Sequence, residues 1–201
     1  MPHAPTSALL ILLLAVGVWS PGPGPASATA AKSGSVSDPH VGLVERPTAD
    51  DPLAAWALDR FVTAGLILPD VAIERYDTKE PCGGNTAVAI HGGVRPRVAL
   101  CVSVGAPDVA VKRALLHELG HVWTDETLSE RDRAAFAEHR GCASWADGPW
   151  QGRASEHAAE IIAWALMDRE LSMITIPDHE PEQLAAGFRV LTGSEPGFRS
   201  P

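Results

Sequence analysis

Positive charge is scarce in this chain. Among 201 residues, 16 Lys and Arg stand against 25 Asp and Glu, a formal net charge of −9. Nucleic acid is therefore not an expected partner, because binding it needs a basic face that replaces phosphate counterions. An anionic membrane surface is disfavoured for the same reason. Long apolar runs are also scarce. The run from Ala8 to Trp19 is short for a bilayer span, and no other stretch is long enough to try, so no stable membrane span is expected in the mature protein. Tyrosine occurs once, against six Trp and four Phe. There are three cysteines, an odd number, so one is left over from any intramolecular pairing. No internal repeat is visible.

What is present at the N-terminus reads as an export signal. The apolar run Ala8 to Trp19 is followed by Pro, Gly and Ala, which could not continue a core helix. Small-residue cleavage patterns follow at Ala26-Ser27-Ala28 and Ala28-Thr29-Ala30, although the leading residues lack Lys and Arg. Residues 1–30 are thus expected to be a signal peptide cleaved near Ala28 or Ala30, giving a secreted protein. Residues 31–50 read as a flexible linker, and 51–201 as one domain. Export permits disulfides. Cys82 and Cys101 flank a segment that reads as two strands and a turn, so they are the favoured pair, with Cys142 over.

Along the domain, Asp51 and Pro52 open a helix with an apolar stripe through Leu53, Trp56, Phe61 and Val62, ending at Gly65. Three expected strands follow: Val71–Tyr76, Thr86–Ile90 and Arg97–Ser103, the last two joined through Gly92-Gly93. Pro107-Asp108 opens a long helix whose buried stripe is Val111, Leu115, Leu119 and Val122. Ser129 caps a helix to His139, with Asp132 at the capping-box position. A Trp-containing loop, 141–152, leads to an apolar helix from about Ser155 to Glu170. A terminal helix spans Pro181 to Leu191. The class expected is α+β, a small, mainly antiparallel sheet followed by helices.

The chemistry concentrates in His117-Glu118-Leu119-Gly120-His121. On a helix, His117 and His121 lie one turn apart on one face and can grip one metal ion, with Glu118 beside them as general base. A catalytic zinc usually takes three protein ligands and keeps one position for water. The continuation His121-x-x-Gly-x-x-His is absent, since Thr124 and Thr127 stand at those places. The best source of a third ligand is Glu156, with Glu160 four residues on to receive a histidine ring N–H. Asp125 is a rival third ligand, two turns beyond His117 on its own helix. Solvated helix carboxylates are the plainer reading of Glu156 and Glu160, weakened by how apolar their helix otherwise is.

This arrangement resembles that of the gluzincins. In them HExxH is followed by a ligand Glu and, four residues later, by an acidic or amide residue supporting a histidine. The compact form is most similar to the ImmA/IrrE-type minimal zinc peptidases, over about Val98 to Leu166. Here Glu160 stands where those relatives carry a shorter Asn or Asp. The resemblance implies a minimal zincin-like fold, with an active-site helix and a third-ligand helix. It also implies one Zn2+ per chain and a peptide or protein substrate. The expected chemistry is peptide-bond hydrolysis by a zinc-activated water with Glu118 as base. A non-catalytic zincin-fold binding or sensor protein is the alternative. Arg153, Tyr76 and His157 are candidate substrate or oxyanion contacts. The strand Arg97–Ser103, if it lies at the sheet edge, is the candidate to pair with an extended peptide.

Overall fold

The computed structural model describes residues 51–103, 105–168 and 174–197. The expected signal peptide and linker lie outside these residues. The described chain forms an α+β fold. Helix α1 (Pro52–Thr63) starts where Asp51 accepts the Leu53 N–H at 2.8 Å, and Pro52 occupies the first turn. Ala54, Ala57 and Phe61 carry its buried face.

Strands β1 (Ala72–Tyr76), β2 (Ala87–Ile90) and β3 (Arg97–Cys101) form one sheet in the order β1-β3-β2. The sheet is mixed, which corrects the expectation of a mainly antiparallel one. β2 and β3 are the antiparallel hairpin the glycines implied, whereas β1 runs parallel to β3, with Ile73 opposite Val98. The connection from β1 therefore carries the chain across β3 before β2 begins. β3 is the central strand, hydrogen-bonded on both sides and buried from Val98 to Cys101. It is not the edge, so it is closed to a further strand; β2 is the edge strand instead. A Cys82–Cys101 disulfide, Cα atoms 6.1 Å apart, ties a short 3-10 turn to β3. Closing a loop of this length stabilises by about 3 kcal/mol through the unfolded chain's lost entropy. Cys142 is free and half-buried.

Helix α2 (Asp108–Thr127) buries Val111, Leu115, Leu119 and Val122, the expected stripe. Helix α3 (Glu130–His139) opens with a capping box: Ser129 Oγ accepts the Asp132 N–H, and Asp132 Oδ2 accepts that of Ser129. Helix α4 (Ala154–Leu166) stops short of the Glu170 expected from its composition. Arg60 Nε donates to the Leu166 carbonyl at 2.8 Å, meeting a last-turn acceptor, and Met167 is already extended. Helix α5 (Pro181–Thr192) packs on α4 through Gly187, where a Cβ would stand 2.7 Å from Ile161 Cδ1.

The core is built between α2 and α4, where Leu115, Leu119, Ile161, Ile162 and Leu166 are fully or almost fully buried. Gly120, inside the motif, brings the two helices together. A Cβ there would lie 3.1 Å from Ala159 Cα, so only glycine permits this spacing without displacement. That close approach lets side chains of α4 reach the histidines of α2.

Candidate metal centre

His117 and His121 emerge one turn apart from α2, their rings 4.9 Å apart and nearly perpendicular. From α4, Glu156 places Oε2 3.3 Å from the Nε2 of each. These three side chains form a convergent group suited to a metal ion, their ligand atoms all within 4.8 Å of one another. Asp125 is not part of it. It pairs with His91 Nε2 at 3.4 Å and Arg133 Nη2 at 3.8 Å, so the rival ligand is engaged elsewhere.

The spacing can be tested against the chemistry of a metal. With metal–ligand bonds of ~2.0–2.1 Å, the corners of a tetrahedron stand roughly 3.3–3.4 Å apart. The Nε2–Oε2 distances of 3.3 Å equal that edge. A charge-assisted N–H···O bond between imidazolium and carboxylate would be shorter, ~2.7–2.9 Å. Two nitrogens aimed at one oxygen at this distance are compatible with a shared ion as well as with a pair of long hydrogen bonds.

Behind the ligands the support is deeper than the motif suggested. Glu160 is fully buried, and its Oε2 accepts from His117 Nδ1 at 3.2 Å. In a neutral ring that bond would keep the proton on Nδ1 and free the Nε2 lone pair, on the side of Glu156, for a metal. The other oxygen, Oε1, accepts from Arg113 Nη2. Burial opposes the charge of both carboxylates. Even so, hydrogen bonds from His117 and His121 hold Glu156 well below the usual range, and those from His117 and Arg113 hold Glu160 down. Burial also opposes a charge on His117, but its bonds to Glu156 and Glu160 raise it to about 9.

Glu118 lies on the cleft side, its Oε2 accepting the Ala89 N–H of β2 at 2.8 Å. The cleft has a volume of about 1030 Å³, with β2 on one wall and the 145–153 segment on the other. Trp150 stands in that second wall, its ring within 16° of parallel to His117 at 6.5 Å. Arg153 also lines the cleft, but its Nε donates to the Gly148 carbonyl at 2.8 Å. Among the described residues it pairs with neither Glu156 nor Glu160.

Two expected contacts lie elsewhere. Tyr76 is on β1, packed beside the Cys82–Cys101 cluster, and its hydroxyl donates to Glu74 at 2.9 Å. β3 separates β1 from the cleft strand, which is why a phenol there does not line it. His157 is 1% exposed and turned away from the cleft. Its Nδ1 accepts from Arg140 Nε at 3.3 Å, and its Nε2 donates to the Gln151 carbonyl at 2.8 Å. One step along a helix rotates a side chain by ~100°, which carries it out of the face of Glu156.

Sequence reasoning missed Arg113. Its signal was there, because it precedes His117 by four residues and so shares the stripe of the two histidines. The contribution of Ala89 had no such signal, being a backbone group aligned by strand pairing. No family model, no curated protein and no solved structure matches the chain. The functional reading therefore rests on this geometry.

Proposed function

We propose that the chain is an exported zinc-dependent metallopeptidase of gluzincin type. One zinc would be held by His117, His121 and Glu156, with a peptide or protein as substrate. The observation that carries this reading is the pair of imidazole Nε2 atoms, each 3.3 Å from one oxygen of Glu156, beside an intact Glu118. Two imidazoles and one carboxylate are a donor set that suits zinc. When bound, such an ion lowers the pKa of water towards ~7 and polarises a carbonyl.

The chain's own residues supply the rest. Glu118 takes a proton from the attacking water and later delivers it to the leaving amine. The Ala89 N–H aims its carboxylate into the cleft. An extended peptide would lie along β2, the edge strand that walls the cleft, and not along β3. Trp150 and Arg153 line the opposite wall, where they would meet substrate side chains.

The test measures zinc content beside cleavage of a peptide library. One zinc per chain is expected, with Glu118→Gln keeping the zinc while cleavage falls by ~10²–10⁴-fold. Full activity in that variant sinks the general-base role. Bound zinc without turnover in the parent would instead favour a binding or sensor protein.

A further inference from the structure

Arg113 is a charged side chain behind the centre that neither the HExxH pattern nor the Glu156–Glu160 pair accounts for. It rises from α2 one turn before His117, and its guanidinium reaches across to α4, where Nη2 donates to Glu160 Oε1. Its Nε is buried and makes no hydrogen bond among the described residues. The neighbouring Lys112 pairs locally, with Asp108 one turn back at 3.1 Å. Arg113 behaves differently: it leaves one of its own donors unmet while bonding a carboxylate that lies 47 residues away and has no solvent exposure.

We propose that Arg113 is a positioning residue that aims His117 through Glu160. This rests on the metal-centre reading above. The Glu160 carboxylate turns about one bond, and among the described residues each of its oxygens has one partner, Arg113 on Oε1 and His117 on Oε2. With Oε1 held by the guanidinium, Oε2 is fixed in front of His117 Nδ1. The ring is then locked in the rotamer and tautomer that turn Nε2 towards Glu156 and His121. Without the guanidinium, a buried Oε1 has no donor, and the carboxylate rotates to share its remaining partner. The ring loses its fixed acceptor and the ligand nitrogen loses its aim. Arg113 therefore acts two side chains away from the ion, without touching ion or substrate.

Arg113→Met keeps the apolar stem of the side chain but removes every donor, and Arg113→Lys restores a cationic donor group. Two measurements on the full chain decide the matter. In imidazole-tuned ¹H–¹⁵N spectra of metal-free protein, the parent is expected to show a downfield, exchange-protected His117 Nδ1 proton. R113M should lose that proton and R113K should regain it. In competition with a chromophoric chelator, zinc affinity should fall by ~10–100-fold in R113M, the scale typical of outer-shell partners, and recover most of the loss in R113K. A His117 proton and a zinc affinity both unchanged in R113M overturn the proposal, leaving Arg113 as a plain ion pair. A parent that binds no zinc refutes the metallopeptidase reading instead, and the metal-free spectra still judge Arg113. Should R113M fail to fold, R113Q takes its place, its side chain too short to reach Glu160.

Discussion

The two sides of α4 bury polar groups in opposite ways. Its front carries Glu156 and Glu160, two ionised carboxylates facing α2. Its rear carries His157, one residue on from Glu156. At the rear every polar atom is met by the protein itself, Nδ1 by Arg140 and Nε2 by the Gln151 carbonyl. Burial and the nearby guanidinium keep that imidazole below its ordinary pKa, hence neutral, despite the opposing pull of the Gln151 bond. At the front the carboxylates meet ionisable partners instead, Arg113 and His117 on Glu160, and both imidazoles on Glu156. Two imidazoles and a carboxylate point at a common centre, and without an ion a proton on His117 has to reconcile them. A saturated polar cluster is structural. One in which two imidazoles and a carboxylate converge is a group that could hold a metal ion.

The largest effect expected from breaking this contrast is at Glu156. Glu156→Ala removes the oxygen shared by both histidines, so zinc affinity should fall by more than the ~10–100-fold typical of a supporting residue. Asp125→Ala should leave it unchanged, because Asp125 is already paired with His91 and Arg133. Chelator competition reads both. If the order of the two comes out reversed, the third-ligand assignment fails.

At the rear the expected effect is smaller and of another kind. His157→Leu fills the same space but leaves Arg140 Nε and the Gln151 carbonyl short of a partner. The unfolding free energy should drop by ~1–3 kcal/mol. Zinc affinity should stay within twofold of the parent, roughly the resolution of such comparisons. Denaturant unfolding and zinc competition on the same preparations check this. A loss of zinc comparable to that of Glu156→Ala would mean that the two sides of α4 are not separate.

Much of the fold was legible, and the reasons are local. Asp51-Pro52 and the Ser129–Asp132 box start helices through groups a few residues apart, and the Cys82–Cys101 bridge followed from a hairpin between them. The two ends of the metal centre were legible because both sets of ligands repeat at helical spacing, His117 with His121 and Glu156 with Glu160. Pairings over long separations were not. Nothing in Ala72–Tyr76 says that it runs parallel to β3 and leaves β2 as the edge. Nor does the apolar composition of α4 show that Arg60, 106 residues away, meets its last carbonyl. His157 was misjudged for a related reason. Beside a ligand it looked available, and only the surrounding chain shows that Arg140 and the 149–152 turn already use both its nitrogens.

The sharpest and smallest test of the contrast is the sign of its pH dependence. In metal-free protein His117 is raised from 6.5 to about 9, so its folded state holds the proton more tightly than the unfolded chain does. Its contribution is complete below ~6.5, and is lost as pH rises through about 9. His157 is lowered instead, so the unfolded chain holds the proton more tightly, and its contribution is present above ~6.5 and lost as pH falls. Unfolding midpoints of the metal-free chain should therefore decline on both flanks, the alkaline one from the front and the acid one in part from the rear. His157→Leu should reduce the decline just below pH ~6.5, leave the more acid part due to Glu156 and Glu160, and leave the alkaline flank in place. Zinc should suppress the alkaline flank, because the ion takes the position of the His117 proton. Between pH 7 and 8, binding should release close to one proton from His117, in addition to any lost by water on the ion, which calorimetry in buffers of different ionisation enthalpy measures. An alkaline flank that survives saturating zinc would show that the proton and the ion do not compete for His117. The front of α4 would then be an ion-paired cluster of the same closed kind as the rear.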